Sequence, residues 1–227
     1  MHVPALIEFL EGLRRNNNRP WFVWNKPAYD ILRQEFEELV ADVALRVARF
    51  DPELGPVDAK KAMFRFYRDA RFSKDKTPYQ THFSAALGDR SKRGEAPGYY
   101  FRIDHAGTLY VGGGIYRPHP PILLRIRRQI AAKPDALSRV LRDRRFKATY
   151  GGLEDEDSLA RPPKGFAADA PHIDAIKNRH FFAGAEIGLT KPPPRDLARD
   201  VAGKFRDLLP LMAWLRDATG MKRNERA

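Results

Sequence analysis

The sequence predicts an α+β fold, an antiparallel sheet of about four to six strands flanked by N-terminal, middle and C-terminal helices. Three observations carry this. A long segment near the N-terminus repeats apolar residues at helical spacing. The middle of the chain changes to short, aromatic, alternating runs. From Pro118 onward helical spacing returns.

Residues 4–15 place Leu6, Ile7, Leu10 and Leu13 on one stripe and predict the first helix, which Asn16, Asn17 and Asn18 stop. Asn25 is a helix cap, with Pro27 in the first turn of the next helix. Along that helix Tyr29, Leu32, Phe36, Leu39, Val43, Val47 and Phe50 recur at three- and four-residue steps, the most regular helical signal in the chain. Trp21, Phe22 and Trp24 form an aromatic cluster between these helices and read as core. Runs 62–68, 81–87, 98–104 and 108–116 alternate as strands do, and turn residues such as Gly94, Pro97 and Gly107 separate the later ones. Such close spacing favours antiparallel pairing over crossovers.

Beyond Pro118 two helical pieces break near Lys133-Pro134. Ile122, Leu123, Ile126 and Ile130 face inward, and Arg125, Arg127, Arg128 and Arg139 point away. Residues 151–170 read as a loop, 172–179 as a helix and 181–189 as a strand. A final helix carries Leu197, Val201, Phe205, Leu208, Met212 and Leu215 and is bent at Pro210. With no internal repeat and no low-complexity linker, residues 1–227 read as one domain. Its parts are helical (1–58), sheet-forming (59–116), basic and helical (117–147) and α/β (148–227).

The chain has no cysteine, which excludes disulfides, thiolate metal sites and a cysteine nucleophile. No apolar run reaches the roughly 18–20 residues of a membrane-spanning helix, and the first residues lack a basic stretch followed by a long apolar core, so no signal peptide is expected. A soluble cytoplasmic protein without a membrane partner is expected. The net charge of +12 is concentrated in residues 59–147. Such a field attracts phosphorylated small molecules or nucleic acid; equally, the Arg, Ala and Pro content is what a GC-rich bacterial genome produces.

The strongest concentration is FRFYRDARFSKDKTPYQTH at residues 64–82. Arg65, Arg68, Arg71, Lys74 and Lys76 supply charge suited to phosphate or carboxylate. Asp69, Tyr79 and His82 are the candidate orienting or acid–base groups. Thr77-Pro78 has the form of a helix N-cap and first turn, which would add backbone donors for an anion. The alternative is that Asp69 and Asp75 pair with neighbouring cations and merely brace a turn. Ser73 and Lys76 match the S-x-x-K pattern, but its companion motifs are missing. Gly112-Gly113-Gly114 ahead of Arg117-Pro118 is either a strand–helix junction that lines a ligand, with Gly113 and Arg117 as contacts, or a site of close strand packing. The six histidines show no metal-ligand spacing, so neither metal nor cofactor is nominated.

Five segments resemble the family catalogued as domain of unknown function 2461. They are FRFYRDARFSKDKTPYQTH, NNNRPWFVWNKPAY at 16–29, PGYYFRI at 97–103, GGGIYRP at 112–118 and RPPKGF at 161–166. The motifs occur in order over nearly the whole chain, with Ala70 and Gln80 where threonine and lysine are usual. The resemblance implies an α+β protein and brings no activity with it. The expectations are therefore a small-anion site at 64–82, on an enzyme or binding protein, with a nucleic-acid-binding accessory protein and a structural scaffold as alternatives.

Overall fold

The computed structural model describes residues 1–69, 71, 73–88, 95–189 and 195–220. Helix α1 (Val3–Arg15) is followed by a short helix, α2 (Arg19–Trp24), where the sequence shows only an aromatic cluster. The asparagine run makes both boundaries. Asn16 ends α1, and the Asn18 side chain accepts from the Trp21 N–H to start α2. Helix α3 (Lys26–Ala48) then buries Leu32, Phe36, Leu39, Val43 and Val47 along the stripe that their spacing announced. Asn25 stands at its start but donates to the Trp21 carbonyl instead of capping.

The sheet is a meander in the order β1 (His82–Leu87), β2 (Gly98–Asp104), β3 (Thr108–Ile115), β4 (Phe181–Gly188), antiparallel throughout. One face carries Phe83, Ala85, Tyr99, Phe101, Ile103, Leu109 and Val111 into the core. There Phe101 meets Phe36 from α3, and both Tyr99 and Phe101 meet Phe205 from α9 (Leu197–Asp207). The helices therefore lie on that face.

The run at 62–68 is not a regular strand. Asp58 caps a single helical turn, α4 (Ala59–Ala62). Beyond it the chain meets β1 at the Met63–Ala85 bridge, the Phe64 N–H to Ser84 carbonyl bond and the Phe66–Phe83 ring contact. It then turns back on itself, Arg68 N–H donating to the Pro78 carbonyl and Gln80 N–H to the Phe66 carbonyl. The cause is aromatic. Phe66 and Tyr79 pack with Phe9, Phe22 and Tyr29 from the helices. No helix follows Thr77-Pro78, because the Thr77 N–H is turned back onto Asp75 and Tyr79 is held extended against Tyr67.

Helices α5 (Pro120–Ala132), α6 (Pro134–Arg142) and α7 (Arg144–Tyr150) follow, with the break at Lys133 where the sequence put it. The arginines of α5 do not all point to solvent. Arg125 donates to the Thr219 carbonyl and Arg127 to the carbonyls of Ile176 and Asn178, so both tie helices together. Helix α8 (Ile173–Lys177) leads into β4. The final helical stretch is two helices, α9 and α10 (Leu209–Thr219). Pro210 has no N–H to offer the carbonyl of Arg206, so the first helix closes one turn before it.

Candidate functional site

The structure places the residues singled out at 64–82 in several different surroundings. Arg68 pairs with Asp75 and also donates to the Thr77 hydroxyl. Arg71 makes two bonds to Asp69, at 2.9 and 2.7 Å. These partners hold both carboxyls below the usual carboxylate range, that of Asp75 down to about 2. Lys76 reaches the Arg71 carbonyl at 3.4 Å, and Arg65 and Lys74 are exposed. Ser73 and Lys76 lie in irregular chain, with no helical turn to bring one to the other. Tyr79 is buried with its ring stacked on Phe22 at 4.2 Å, and Asn17 holds its backbone N–H and carbonyl from both sides. Asp69 is exposed, Tyr79 lies in the core, and His82 stands on the outward face of β1. Phe72 and Ala70 fall outside the described residues.

The outward face of the sheet is a different environment. Alternation along the strands brings His82, Ser84 and Ala86 from β1 beside Gly98, Tyr100 and Arg102 from β2. Tyr110, Gly112 and Gly114 from β3 come next, then Phe182, Gly184 and Glu186 from β4. Over it lies a cavity of about 430 Å³ whose walls include Phe64, Tyr100, Arg102, Tyr110, Tyr116 and Phe182, with Glu154 entering from the loop after α7.

Glycines make the floor. Gly112 and Gly184 are paired across β3 and β4. A Cβ on Gly112 would stand 2.5 Å from the Phe182 ring, and one on Gly184 the same distance from the Glu154 carboxylate. Bare backbone thus lets both side chains lie close over the sheet. Gly114, at φ +133°, lines the cavity, while Gly113 faces the helices, its Cβ position 2.8 Å from Leu208. Arg117 is not on this cavity; it lines a second one, against α5.

The polar groups on the floor are linked. Tyr110 donates its hydroxyl to Glu154 at 2.5 Å, and the Glu154 N–H donates to the Phe182 carbonyl. The Arg102 guanidinium lies over the Tyr110 ring, 5.1 Å from its centroid, and 3.6 Å from Glu186. Its Nε is buried with no hydrogen-bond partner among the described residues. Burial, then the bond and charge of Glu154, push the Tyr110 phenol well above its usual range, so it stays a neutral donor. Burial also raises Tyr100, which Ser84 and Arg102 oppose. His82 is lowered, first by burial and then by the charge of Arg102, so the neutral imidazole is favoured there.

Sequence reasoning missed Tyr100, Arg102, Tyr110, Tyr116, Glu154 and Phe182. The alternation in PGYYFRI does put Gly98, Tyr100 and Arg102 on one face, and that signal was available. Nothing in the local sequence points Glu154 at Tyr110.

Fold and cleft together define a meander-sheet α+β protein with a concave, aromatic-walled cleft within the size range of small-molecule sites. The chain belongs to the family described as conserved hypothetical protein, DUF2461, whose model matches residues 5–214. No curated protein and no solved structure matches it. Among the described residues, no helix is long and apolar enough to cross a membrane and no group of three or more His, Asp or Glu could hold a metal ion.

Proposed function

We propose that this protein binds a small organic anion with a flat apolar body, held in the cleft on the outward face of the sheet. Arg102 meets the anionic group. The rings of Phe64, Tyr100, Tyr110, Tyr116 and Phe182 enclose the body, and Glu154 accepts a ligand N–H or O–H. The observation that carries this is Arg102, which lines an aromatic cavity with its Nε unpartnered among the described residues, a cation that a carboxylate or phosphate would engage. In this reading residues 64–82 brace one wall. Their ion pairs hold the turn, and the buried Phe66 and Tyr79 fix the segment that presents Phe64.

The test is thermal unfolding against a panel of aromatic carboxylates and phosphate monoesters, with duplex DNA included. A ligand at 100 times its Kd should contribute about 2.7 kcal/mol, raising Tm by about 5–10 °C for a chain of this size. Arg102→Gln should weaken binding at least tenfold. A panel without a single stabilising member, or a shift that survives Arg102→Gln unchanged, would overturn the proposal. Stabilisation by DNA alone, weakening steeply with salt, would transfer the function to the basic surface of residues 59–147.

A further inference from the structure

Three arginines from distant parts of the chain line a second, more open cavity of about 470 Å³: Arg117 after β3, Arg127 on α5 and Arg179 between α8 and β4. Among the described residues of its lining Asp157 is the one carboxylate, paired with Arg179 at 3.4 Å, with Leu123 and Leu159 beside it. We propose that this cavity is a phosphate site, separate from the aromatic cleft and independent of what that cleft binds.

The first support is charge. Three arginines lining one cavity, with a single carboxylate among the described lining residues, repel one another unless an anion joins them, and a tetrahedral oxyanion accepts from several guanidinium forks at once. Burial, and then the charge of Arg179, make the Arg127 guanidinium hold its proton less tightly than usual, so the two cations feel each other. The second is preorganisation. Arg127 is fixed by donating Nε to the Ile176 carbonyl (2.7 Å) and Nη2 to that of Asn178 (3.0 Å), neither of which engages Nη1. Buried Asn178 also anchors the facing loop, accepting from the Ser158 hydroxyl and donating to the Glu154 carbonyl, while Leu159 N–H bonds the Lys177 carbonyl. The third is backbone conformation. Arg117 adopts φ 51°, in the left-handed region where a side chain carries strain, with its guanidinium 5.4 Å from the Tyr116 ring centroid. Strain of this kind is kept where the residue's position matters.

The strained backbone supplies a variant that separates binding from folding. Arg117→Gly removes the charge and relaxes the conformation, so it should keep or raise Tm. Titration with inorganic phosphate and pyrophosphate, followed by calorimetry at constant ionic strength, should show saturable binding to the full chain. Arg117→Gly and Arg179→Gln should each lower that affinity at least tenfold. Asp157→Asn removes the competing carboxylate and should tighten it severalfold, a direction that a purely structural role would not produce. The proposal is overturned if binding is unsaturable, if Arg117→Gly binds like the parent, or if Asp157→Asn binds more weakly. It is also overturned if duplex DNA competes as well as pyrophosphate at equal phosphate concentration. Arg102→Gln should leave this binding unchanged, so the fate of the aromatic cleft is read separately.

Discussion

Asp51 and Arg216, 165 residues apart in sequence, form a two-pronged buried pair, Arg216 Nη1 to Oδ1 at 2.9 Å and Nη2 to Oδ2 at 2.7 Å. Tyr99 donates its hydroxyl to the same carboxylate at 2.6 Å, and Glu53 lies 3.4 Å from Arg216 Nε. The pair therefore joins the turn after α3, the middle of the sheet and the last helix. Arg216→Met should cost about 3–5 kcal/mol, because it leaves the Asp51 carboxylate buried against a phenol with no cation. The double variant Asp51→Leu/Arg216→Met should recover most of that loss. Urea unfolding of the four-member mutant cycle measures both. A single variant costing less than about 1 kcal/mol would place the pair among ordinary surface bridges.

The glycine floor yields a contrast between two positions on one strand. At Gly184 an added methyl meets the Tyr110 hydroxyl and the Glu154 carboxylate, whereas at Gly188 it meets nothing within 4 Å. Gly184→Ala should cost about 1–3 kcal/mol and displace the Tyr110–Glu154 bond. Gly188→Ala should be neutral or slightly stabilising. Thermal unfolding of both, with Tyr110 followed by NMR, checks the pair; equal effects would mean that the floor is not shaped by these contacts.

Acid should act on the protein in two steps. A histidine with a depressed folded-state pKa leaves the unfolded chain binding more protons. His82 therefore contributes stability that is complete above the unfolded value of about 6.5 and is lost as pH falls toward its folded value. Asp75, held at about 2, contributes stability that is present above its unfolded value of 3.8 and lost as pH falls through about 2. His82→Gln should flatten the stability profile near pH 6, and Asp75→Asn should flatten it only below pH 4. Unfolding midpoints collected from pH 2 to 8 separate the two; a profile left unchanged by His82→Gln would show that its ring is not desolvated.

How far these features are legible in the sequence depends on the range of the interaction that fixes each one. Helix α3 and strand β2 are written locally, as an apolar series of which only the seventh member, Phe50, falls past the helix end, and as the alternation of PGYYFRI. The hairpin-like excursion at 64–82 is not a local matter, since Phe66 and Tyr79 are packed by rings on α1, α2 and α3. Counting its charges located a basic run, but charge counting does not reveal that Arg68 and Arg71 already hold Asp75 and Asp69. The cleft requires still more. Tyr110 opposes Arg102 only through the β2–β3 register, and Glu154 comes from a stretch with no periodicity at all. Arg127 was legible as a cation on a helix, whereas its two carbonyl partners depend on how α8 packs.

The brief contact of residues 63 and 64 with β1 has a further consequence at the margins of the sheet. A strand margin with free N–H and C=O groups is a template on which another chain can add. On one side Met63 and Phe64 occupy part of that template before the chain turns away. On the other, Glu154 N–H takes the Phe182 carbonyl, and Glu186 stands exposed nearby. Each margin is thus interrupted by its own chain, which discourages a second copy from extending the sheet and leads away from fibre-like self-association.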